Sequence, residues 1–352
     1  MNMRQPSFRY AGVLFVAVLL ILAGCGNAQN APSAEVPSEG SGSGASPSAD
    51  AVEKVTLKVV SAWPKDVRSN DNLEDLIAWL EENGQGKVEL NWIGGPETIP
   101  SNQLGEAVGS GTVDLAWTVH AYMTSILPVM DGIKLNQLSN SELRESGAAD
   151  FINGLYEEKA NAHVLGFPNP GGSHSLYTNF PVTTLDDFKG KLMRSSPVHE
   201  PFIKALEAEP ILMPTTDMYD AMERGTVDGF GYVTVSMMDY GLQEVTENII
   251  YPSFYSSDAV ALVNLDVWNG LSDEVKQILA DGMAFVEEKY AAAWDADYEN
   301  EKVKLTEAGV NMIELSGSVA EEYLQLANES AWETILKADP ENGPKLKEYI
   351  SK

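Results

Sequence analysis

Cysteine is nearly absent from this chain, and its scarcity removes several classes of chemistry. The only cysteine is Cys25, so neither an internal disulfide nor a cysteine-based metal or catalytic site can form. The four histidines show no metal-ligand spacing. There is also no G-x-S-x-G elbow and no phosphate-binding glycine loop between a strand and a helix. We therefore expect no cofactor, no metal site and no enzymatic activity.

Basic residues are scarce as well. The chain has 23 Lys and Arg against 52 Asp and Glu, a formal net charge of −29. Such a surface repels nucleic acid and anionic lipid, so we expect no nucleic-acid partner. It also repels small anions, and a binding site for an acid would therefore require a local cation.

A long apolar run occurs only at the N-terminal end. Arg4 and Arg9 precede the apolar stretch Val13 to Leu22, and Leu22-Ala-Gly-Cys25 resembles a bacterial lipobox, whose cysteine is lipidated and becomes the mature N-terminus. We interpret residues 1–25 as a lipoprotein signal peptide, with a palmitate-type acyl chain on Cys25 as the membrane anchor. The alternative is an uncleaved helix, for which the apolar run is short.

The next segment, 26–52, is rich in Ser, Gly, Pro and Ala and has no apolar periodicity, which predicts a flexible linker. About 300 residues remain, enough for two lobes with separate cores. No later segment is apolar enough to cross a membrane. We expect an exported body, in the periplasm or on the outer face of the cell membrane, that contacts the membrane only through its lipid.

One stretch of the sequence occurs twice. Pro100-Ser-Asn-Gln-Leu-Gly-Glu-Ala-Val-Gly-Ser-Gly-Thr-Val-Asp114 returns as Pro214-Thr-Thr-Asp-Met-Tyr-Asp-Ala-Met-Glu-Arg-Gly-Thr-Val-Asp228. Each copy predicts a capped helix, a glycine stop and entry into a strand. Chance repetition of a helix stop is the alternative, but the register matches at both ends. Two similar α/β lobes imply a cleft between them, where small molecules bind.

Periodicity predicts the same strand and helix order in both halves. Strands at Val55–Trp63, Val88–Trp92 and Asp114–Val119 alternate with helices, as do Lys191–Ser195, Pro210–Met213 and Asp228–Val233. The order βαβαβ predicts a mainly parallel sheet flanked by helices in each lobe.

The halves are joined by three further elements. Phe167 to Gly172 is a turn-rich crossing and a candidate hinge, Ala259–Asn264 a return strand, and Ser272 to Glu307 a long helix. We place lobe 1 at 53–172, lobe 2 at 173–258, and the return strand, long helix and C-terminal helices that span both lobes at 259–352.

Arg194 is the candidate binding residue. It lies in an apolar strand just before Ser195-Ser-Pro197, near the end where α/β folds place ligands. Its guanidinium is suited to grip a carboxylate through two parallel hydrogen bonds. A buried structural arginine paired with an acid is the alternative.

The surrounding motif resembles a known family. Leu185-Asp-Asp-Phe-Lys-Gly-Lys-Leu-Met-Arg194, Pro210 to Pro214 and Tyr219 to Gly229 are similar to the D-L-K-G-x-K-x-R, Pro-rich strand and Y-x-A-L-x-x-G-x-V-D-G pattern of DctP-type substrate-binding proteins. These proteins serve TRAP (tripartite ATP-independent periplasmic) transporters. The similarity extends from about Val55 to Glu307 and implies a two-lobed, periplasmic-binding-protein-like fold.

The resemblance also implies a binding site. Arg194 occupies the position of the arginine that grips the substrate carboxylate, and other family contacts map onto Trp63, Trp117, His120, Tyr122 and Tyr232. Two positions depart from the pattern. His174 stands where many members carry a second arginine, and Tyr232 stands where asparagine is frequent, so the pocket is expected to be less cationic and more aromatic.

The sequence thus predicts a solute-binding lipoprotein. Its ligand would be an organic acid, and more narrowly a monocarboxylate with an apolar or aromatic body. This ligand would bridge Arg194 and the Trp63/Trp117 side and favour a closed cleft. Its partners would be the membrane subunits of a TRAP transporter. The alternative is a sensor that presents ligand to a membrane receptor without transport.

Overall fold

A computed structural model of the chain describes residues 54–168, 173–256 and 259–351. These residues form two mixed β-sheets flanked by helices. The predicted signal peptide with Cys25, the linker, and residues 169–172 of the candidate hinge lie outside the described residues.

The strands are β1 (Val55–Ser61), β2 (Val88–Gly94), β3 (Leu115–Val119), β4 (Ala162–Gly166), β5 (Ser173–Thr178), β6 (Leu192–Ser195), β7 (Glu209–Leu212), β8 (Gly229–Val233), β9 (Asn248–Ser256), β10 (Ala259–Asn264) and β11 (Asn311–Glu314). The first sheet has the strand order β2-β1-β3-β10-β4, and the second has the order β11-β9-β5-β8-β6-β7.

Ten α-helices pack around these sheets in the described part of the chain. They are α1 (Asp71–Asn83), α2 (Leu104–Gly109), α3 (Asn140–Glu145), α4 (Ala148–Ala160), α5 (Glu200–Ala205), α6 (Met218–Glu223), α7 (Leu265–Gly270), α8 (Asp273–Glu307), α9 (Gly317–Ala338) and α10 (Gly343–Ile350).

Each half of the described chain contains its own βαβαβ unit, and the two units are built in the same way. In the first sheet β1 pairs in parallel with both β2 and β3, and in the second β6 pairs in parallel with both β7 and β8. The parallel units follow the sequence prediction. The complete sheets are mixed because the return strand β10 runs antiparallel between β3 and β4, and β5 runs antiparallel between β8 and β9.

The repeated stretch has the same structure in both copies. Each copy begins with a short 3₁₀ turn and continues as α2 or α6. The turn after the helix contains a glycine with a positive φ, Gly111 (+73°) in the first copy and Gly225 (+64°) in the second. The left-handed conformation explains the glycine, because it has no Cβ to oppose a positive φ. Neither copy has the side-chain cap that the sequence suggested; the Ser101 hydroxyl donates instead to the Ala62 carbonyl (2.7 Å).

The aspartate that closes each repeat joins neighbouring parallel strands. An Asp114 carboxylate oxygen accepts from the Lys58 N–H of β1 (2.7 Å), and an Asp228 oxygen accepts from the Leu192 N–H of β6 (2.8 Å). Both aspartates also donate their own N–H to the carbonyl of the same partner. The recurrence of Gly-Thr-Val-Asp therefore has a structural cause: it starts the third strand of each unit.

Helix α8 contacts elements of both sheets. Near its middle, Tyr290 donates its hydroxyl to an Asp75 carboxylate oxygen on α1 (2.7 Å). Towards its C-terminal end, a Glu301 oxygen accepts from the Met238 N–H after β8 (3.1 Å), and the Tyr298 hydroxyl bonds the Ser253 hydroxyl on β9 (2.9 Å). The helix thereby connects the two halves of the described chain.

Candidate functional site

A cavity of about 460 Å³ lies where strands from both sheets end. The first sheet contributes the residues that follow β1 and the start of the first repeat, and the second contributes the residues that follow β6 and the start of the second repeat. The lining residues are Ala62, Trp63, Pro64, Pro96, Pro100, Ser101, Asn102, Tyr122, Ser195, Ser196, Pro197, Leu212, Met213, Pro214, Thr215, Thr216 and Tyr240.

The lining carries no formal charge. Prolines and the rings of Trp63, Tyr122 and Tyr240 provide stiff apolar surfaces, and serine, threonine and asparagine provide neutral polar groups. Such a combination of apolar walls and few polar groups is typical of small-molecule pockets, as is the volume. Any charge recognition must therefore come from a residue behind this lining.

Arg194 lies directly behind it. The residue is at the third position of β6 and is 1% exposed. Its Nε and Nη2 donate to the carbonyl of the lining residue Met213 (3.1 and 2.8 Å), and its Nη1 donates to the Gly231 carbonyl on β8 (3.1 Å). These bonds hold the guanidinium plane in place against the cavity wall.

No described residue forms a salt bridge with Arg194, and the Asp217 carboxylate acts on its charge only from a distance. All three of its hydrogen bonds go to backbone carbonyls, and they use three of the five N–H groups that a guanidinium carries. Burial lowers the pKa of Arg194, but an arginine side chain stays protonated in proteins. An unpaired buried charge is costly, so the arrangement favours an anion that enters from the cavity.

Three tyrosines lie close enough to this guanidinium to interact with it electrostatically: Tyr122, Tyr232 and Tyr240. The Tyr232 and Tyr240 rings meet edge to face at 6.0 Å. Their hydroxyl oxygens are buried, and the two phenols interact with each other. Burial raises the pKa of both phenols, so both keep their protons and can donate. The two hydroxyls and Arg194 together form a donor-rich end of the site.

His174 does not line the cavity. The side chain is 8% exposed on β5, and its Nδ1 lies 2.9 Å from Nε2 of His199, whose Nδ1 lies 3.2 Å from the hydroxyl of the lining residue Ser196. Burial lowers the pKa of His174 to about 3 and holds the pKa of His199 well below its usual range. Both imidazoles are therefore neutral at physiological pH.

Two of the residues that the resemblance placed in the site lie in the core instead. Trp117 on β3 is fully buried with Val59, Leu76 and Leu279, and its indole N–H donates to the Asn72 side-chain oxygen (3.1 Å). It does not form a wall of the cavity because its ring faces the helices that cover the first sheet.

His120 is the second predicted site residue that lies in the core. The side chain is fully buried, its Nδ1 lies 2.8 Å from the Tyr156 hydroxyl, and its ring stacks on Phe167 at 5.9 Å. Burial lowers its pKa to about 3. Of the seven predicted binding residues, the structure thus brings Arg194, Tyr232, Trp63 and Tyr122 together and places His174 behind Ser196.

Residues beside the cavity connect the two halves. The Arg68 N–H, after β1, donates to an Asp239 carboxylate oxygen, after β8 (2.9 Å), and the hydroxyls of Ser69 and Ser236 are 3.1 Å apart. The Arg68 guanidinium also pairs with Asp297 on α8 (3.0 Å). Since Asp239 precedes the lining residue Tyr240, these contacts bring the two walls of the site together.

Within residues 54–168, 173–256 and 259–351, no three His, Cys, Asp or Glu side chains gather in a way that could hold a metal ion. No helix there combines the length and apolar character needed to span a membrane.

Comparison with known proteins gives a family. Residues 59–338 match the model of the bacterial extracellular solute-binding proteins, family 7, known as DctP. A monocarboxylate 2-oxoacid-binding periplasmic protein of Nostoc sp. is 24% identical over 64% of this chain and 64% of its own length. A C4-dicarboxylate-binding periplasmic protein of Rhodobacter capsulatus is 31% identical over 47% of this chain and 48% of its own length.

Solved structures share the fold. A TRAP periplasmic solute-binding protein of Desulfovibrio salexigens with bound orotic acid gives a TM-score of 0.76 at 19% identity, covering 84% of this chain and 97% of its own. A Bordetella pertussis extracytoplasmic solute receptor that binds pyroglutamic acid gives 0.75 at 16% identity, covering 85% and 100%. The family match over most of the described residues, together with this fold, shows that the chain belongs to the DctP family of bacterial extracellular solute-binding proteins.

Proposed function

We propose that this protein captures an organic acid with a single carboxylate in the cavity between its two sheets and delivers it to a TRAP-type transporter. The observation that carries the proposal is Arg194, a buried cation whose described partners are backbone carbonyls alone. A carboxylate at the donor-rich end would pair with the guanidinium and accept from the hydroxyls of Tyr232 and Tyr240.

The charge balance of the site favours a monocarboxylate. The lining is neutral, and Arg194 supplies one positive charge. A second carboxylate would be desolvated without a partner among the described lining residues, at a cost of several kcal/mol. The rest of the ligand would meet prolines and the Trp63 ring, which favours an apolar or planar body.

The relatives are consistent with this class and also with others. The Nostoc protein is described as binding monocarboxylate 2-oxoacids, and the fold neighbours hold orotic acid and pyroglutamic acid. The Rhodobacter protein is described as binding C4-dicarboxylates. We choose the monocarboxylate for this chain because the lining around Arg194 is neutral.

Ligand would act by favouring the closed cleft. A molecule held by Arg194 behind one wall and by Trp63 and Tyr122 on the other contacts both halves only when they are together, so its differential affinity stabilises that state. The contacts of Arg68 and Ser69 with Asp239 and Ser236 form in the same state. The closed form would then be the one presented to the transporter.

A thermal-shift screen of organic acids tests the proposed ligand class. At a concentration of about 100 times Kd, a binder adds roughly 2.7 kcal/mol to the free energy of unfolding, or about 5 °C in Tm. We expect such shifts from monocarboxylates such as orotate, pyroglutamate, benzoate or 2-oxo acids. Stabilisation by dicarboxylates alone would contradict the single carboxylate, and stabilisation by sugar acids alone would contradict the apolar or planar body.

A ligand-presenting sensor for a membrane receptor is the second candidate function, because it would use the same cleft. Uptake of a labelled binder separates the two. Cells that lack this protein lose uptake if it serves a transporter and keep it if it serves only a receptor.

We also propose that the protein is anchored by a lipid on Cys25. The support is the basic start, the apolar run and Leu22-Ala-Gly-Cys25. Mass spectrometry of the membrane fraction should find an acylated N-terminal Cys25, and Cys25→Ala should release the protein from that fraction. Recovery of a mature chain with residues 1–24 still attached would exclude this anchor.

A further inference from the structure

A chain of three side chains leads from the cavity into the core of the second half. It consists of Ser196 in the lining, His199 behind it and His174 on β5, with Ser196 Oγ 3.2 Å from His199 Nδ1 and His199 Nε2 2.9 Å from His174 Nδ1. Neither the family match nor the resemblance assigns a role to Ser196 or His199.

The chain is held rigidly. The His199 ring lies against Gly231, where an added Cβ would meet ring atoms at 2.5 and 2.8 Å, and it meets Phe254 edge to face at 6.2 Å. The Gly231 carbonyl is the one that accepts from Arg194 Nη1. One glycine therefore positions both the guanidinium and His199, and glycine is required there because a side chain would displace the ring.

The hydrogen-bond direction in this chain is coupled from end to end. A neutral imidazole carries one N–H, and its other nitrogen accepts. If the proton between the rings is on His174 Nδ1, His199 Nε2 accepts, His199 Nδ1–H donates to Ser196, and the serine proton is free to point into the cavity. In the opposite direction, the serine proton is used on His199, and Ser196 presents only an acceptor to the ligand.

An anion in the cavity would favour the first direction. Arg194 and Tyr240 make this part of the cavity suitable for an anion, and an anion offers only acceptors. We propose that Ser196 is a specificity-determining residue whose hydroxyl is oriented by His199 and His174 to donate a hydrogen bond to a ligand oxygen. This inference rests on the proposed carboxylate-binding function and adds a second recognition point beside Arg194.

Binding measurements on a double-mutant cycle test the inference. The probe is the tightest binder among orotate, pyroglutamate and 2-oxoisovalerate, measured by titration calorimetry. Ser196→Ala should weaken binding about 10-fold. His199→Phe keeps a ring against Gly231 and Phe254 but loses both nitrogens, and it should weaken binding about 3- to 10-fold. The double variant should bind like Ser196→Ala alone, because His199 acts through the serine.

The matched control is His163→Phe. His163 pairs with Glu157 (2.8 Å) and stacks on Trp268 at 4.0 Å, away from the cavity lining. It should leave the affinity unchanged. Additive losses from Ser196→Ala and His199→Phe would show that His199 has only a packing role, and unchanged binding in Ser196→Ala would overturn the inference while leaving the carboxylate proposal intact. Absence of binding by the unmodified protein would instead refute the proposed function.

Nitrogen NMR of ¹⁵N-histidine-labelled protein provides a readout that does not depend on how well the variants fold. With the probe bound, Nδ1 of both His199 and His174 should be protonated and Nε2 of His199 unprotonated. An unprotonated His199 Nδ1 in the bound protein would overturn the inference, since the serine proton would then be used inside the wall.

Discussion

Replacement of Arg194 by alanine should weaken carboxylate binding by about 30- to 5,000-fold, equivalent to roughly 2–5 kcal/mol. The reason is that the guanidinium is the only charged group at the donor-rich end of the cavity among the described residues. Its loss leaves the ligand carboxylate desolvated beside neutral hydroxyls. Titration calorimetry with the tightest monocarboxylate from the thermal-shift screen measures the effect.

Two controls separate recognition from folding. Arg194→Lys keeps the charge but not the planar fork, so it should recover only part of the affinity. Arg224→Ala removes an exposed arginine that pairs with Asp220 on the surface of α6 (3.0 Å), and it should change neither affinity nor stability measurably. Equal affinity of Arg194→Ala and the unmodified protein would show that the buried cation is structural only.

The second large effect concerns the two tryptophans that the sequence assigned to the same wall. Trp117→Ala should lower the free energy of unfolding by about 3–5 kcal/mol, because it removes a fully buried ring from the core of the first sheet together with the hydrogen bond from its indole N–H to Asn72. Trp63→Ala should change stability much less, because Trp63 is half-buried and lines the cavity. Urea unfolding of the two variants in the absence of ligand measures this difference.

The effects on ligand affinity should have the reverse order, with a larger loss from the change at Trp63 than from the change at Trp117. Trp63→Ala should weaken binding of a planar monocarboxylate by about 5- to 10-fold, since stacking on an aromatic ring contributes roughly 1 kcal/mol. Trp117→Phe keeps most of the core packing and should bind with the affinity of the unmodified protein. Weaker binding by the folded Trp117→Phe variant than by Trp63→Ala would place Trp117 in the site after all.

Periodicity and the internal repeat were sufficient for the secondary structure around the site. The return strand was predicted at its observed bounds and the long helix within one residue at its start. Four strands, β4, β5, β9 and β11, were not predicted. The reason is that β5 and β9 each contain at least four consecutive buried residues and so show no alternation, while β4 and β11 have only five and four residues.

Arg194 was predicted as the binding residue from its residue type. A lone arginine in an apolar strand is unusual in a chain with so few basic residues, and its local position at the end of a parallel strand follows from the βαβ order. The local sequence supported a place in the site for Trp117 equally well, yet its side chain lies in the core. Strand β3 is buried on both faces, so alternation along the strand cannot say which face meets the cavity and which meets the covering helices.

The sequence by itself determined the repeated βαβαβ unit, the glycines and aspartates that shape it, and the strand position of the candidate binding arginine, because these depend on local backbone preferences and spacing. Only the tertiary structure decided that Tyr240 faces Tyr232 beside that arginine, and that Ser196, His199 and His174 form one hydrogen-bonded chain. These partners come from separate strands and turns. Their meeting is set by how the second sheet orders β5, β8 and β6, a long-range pairing that no local pattern encodes.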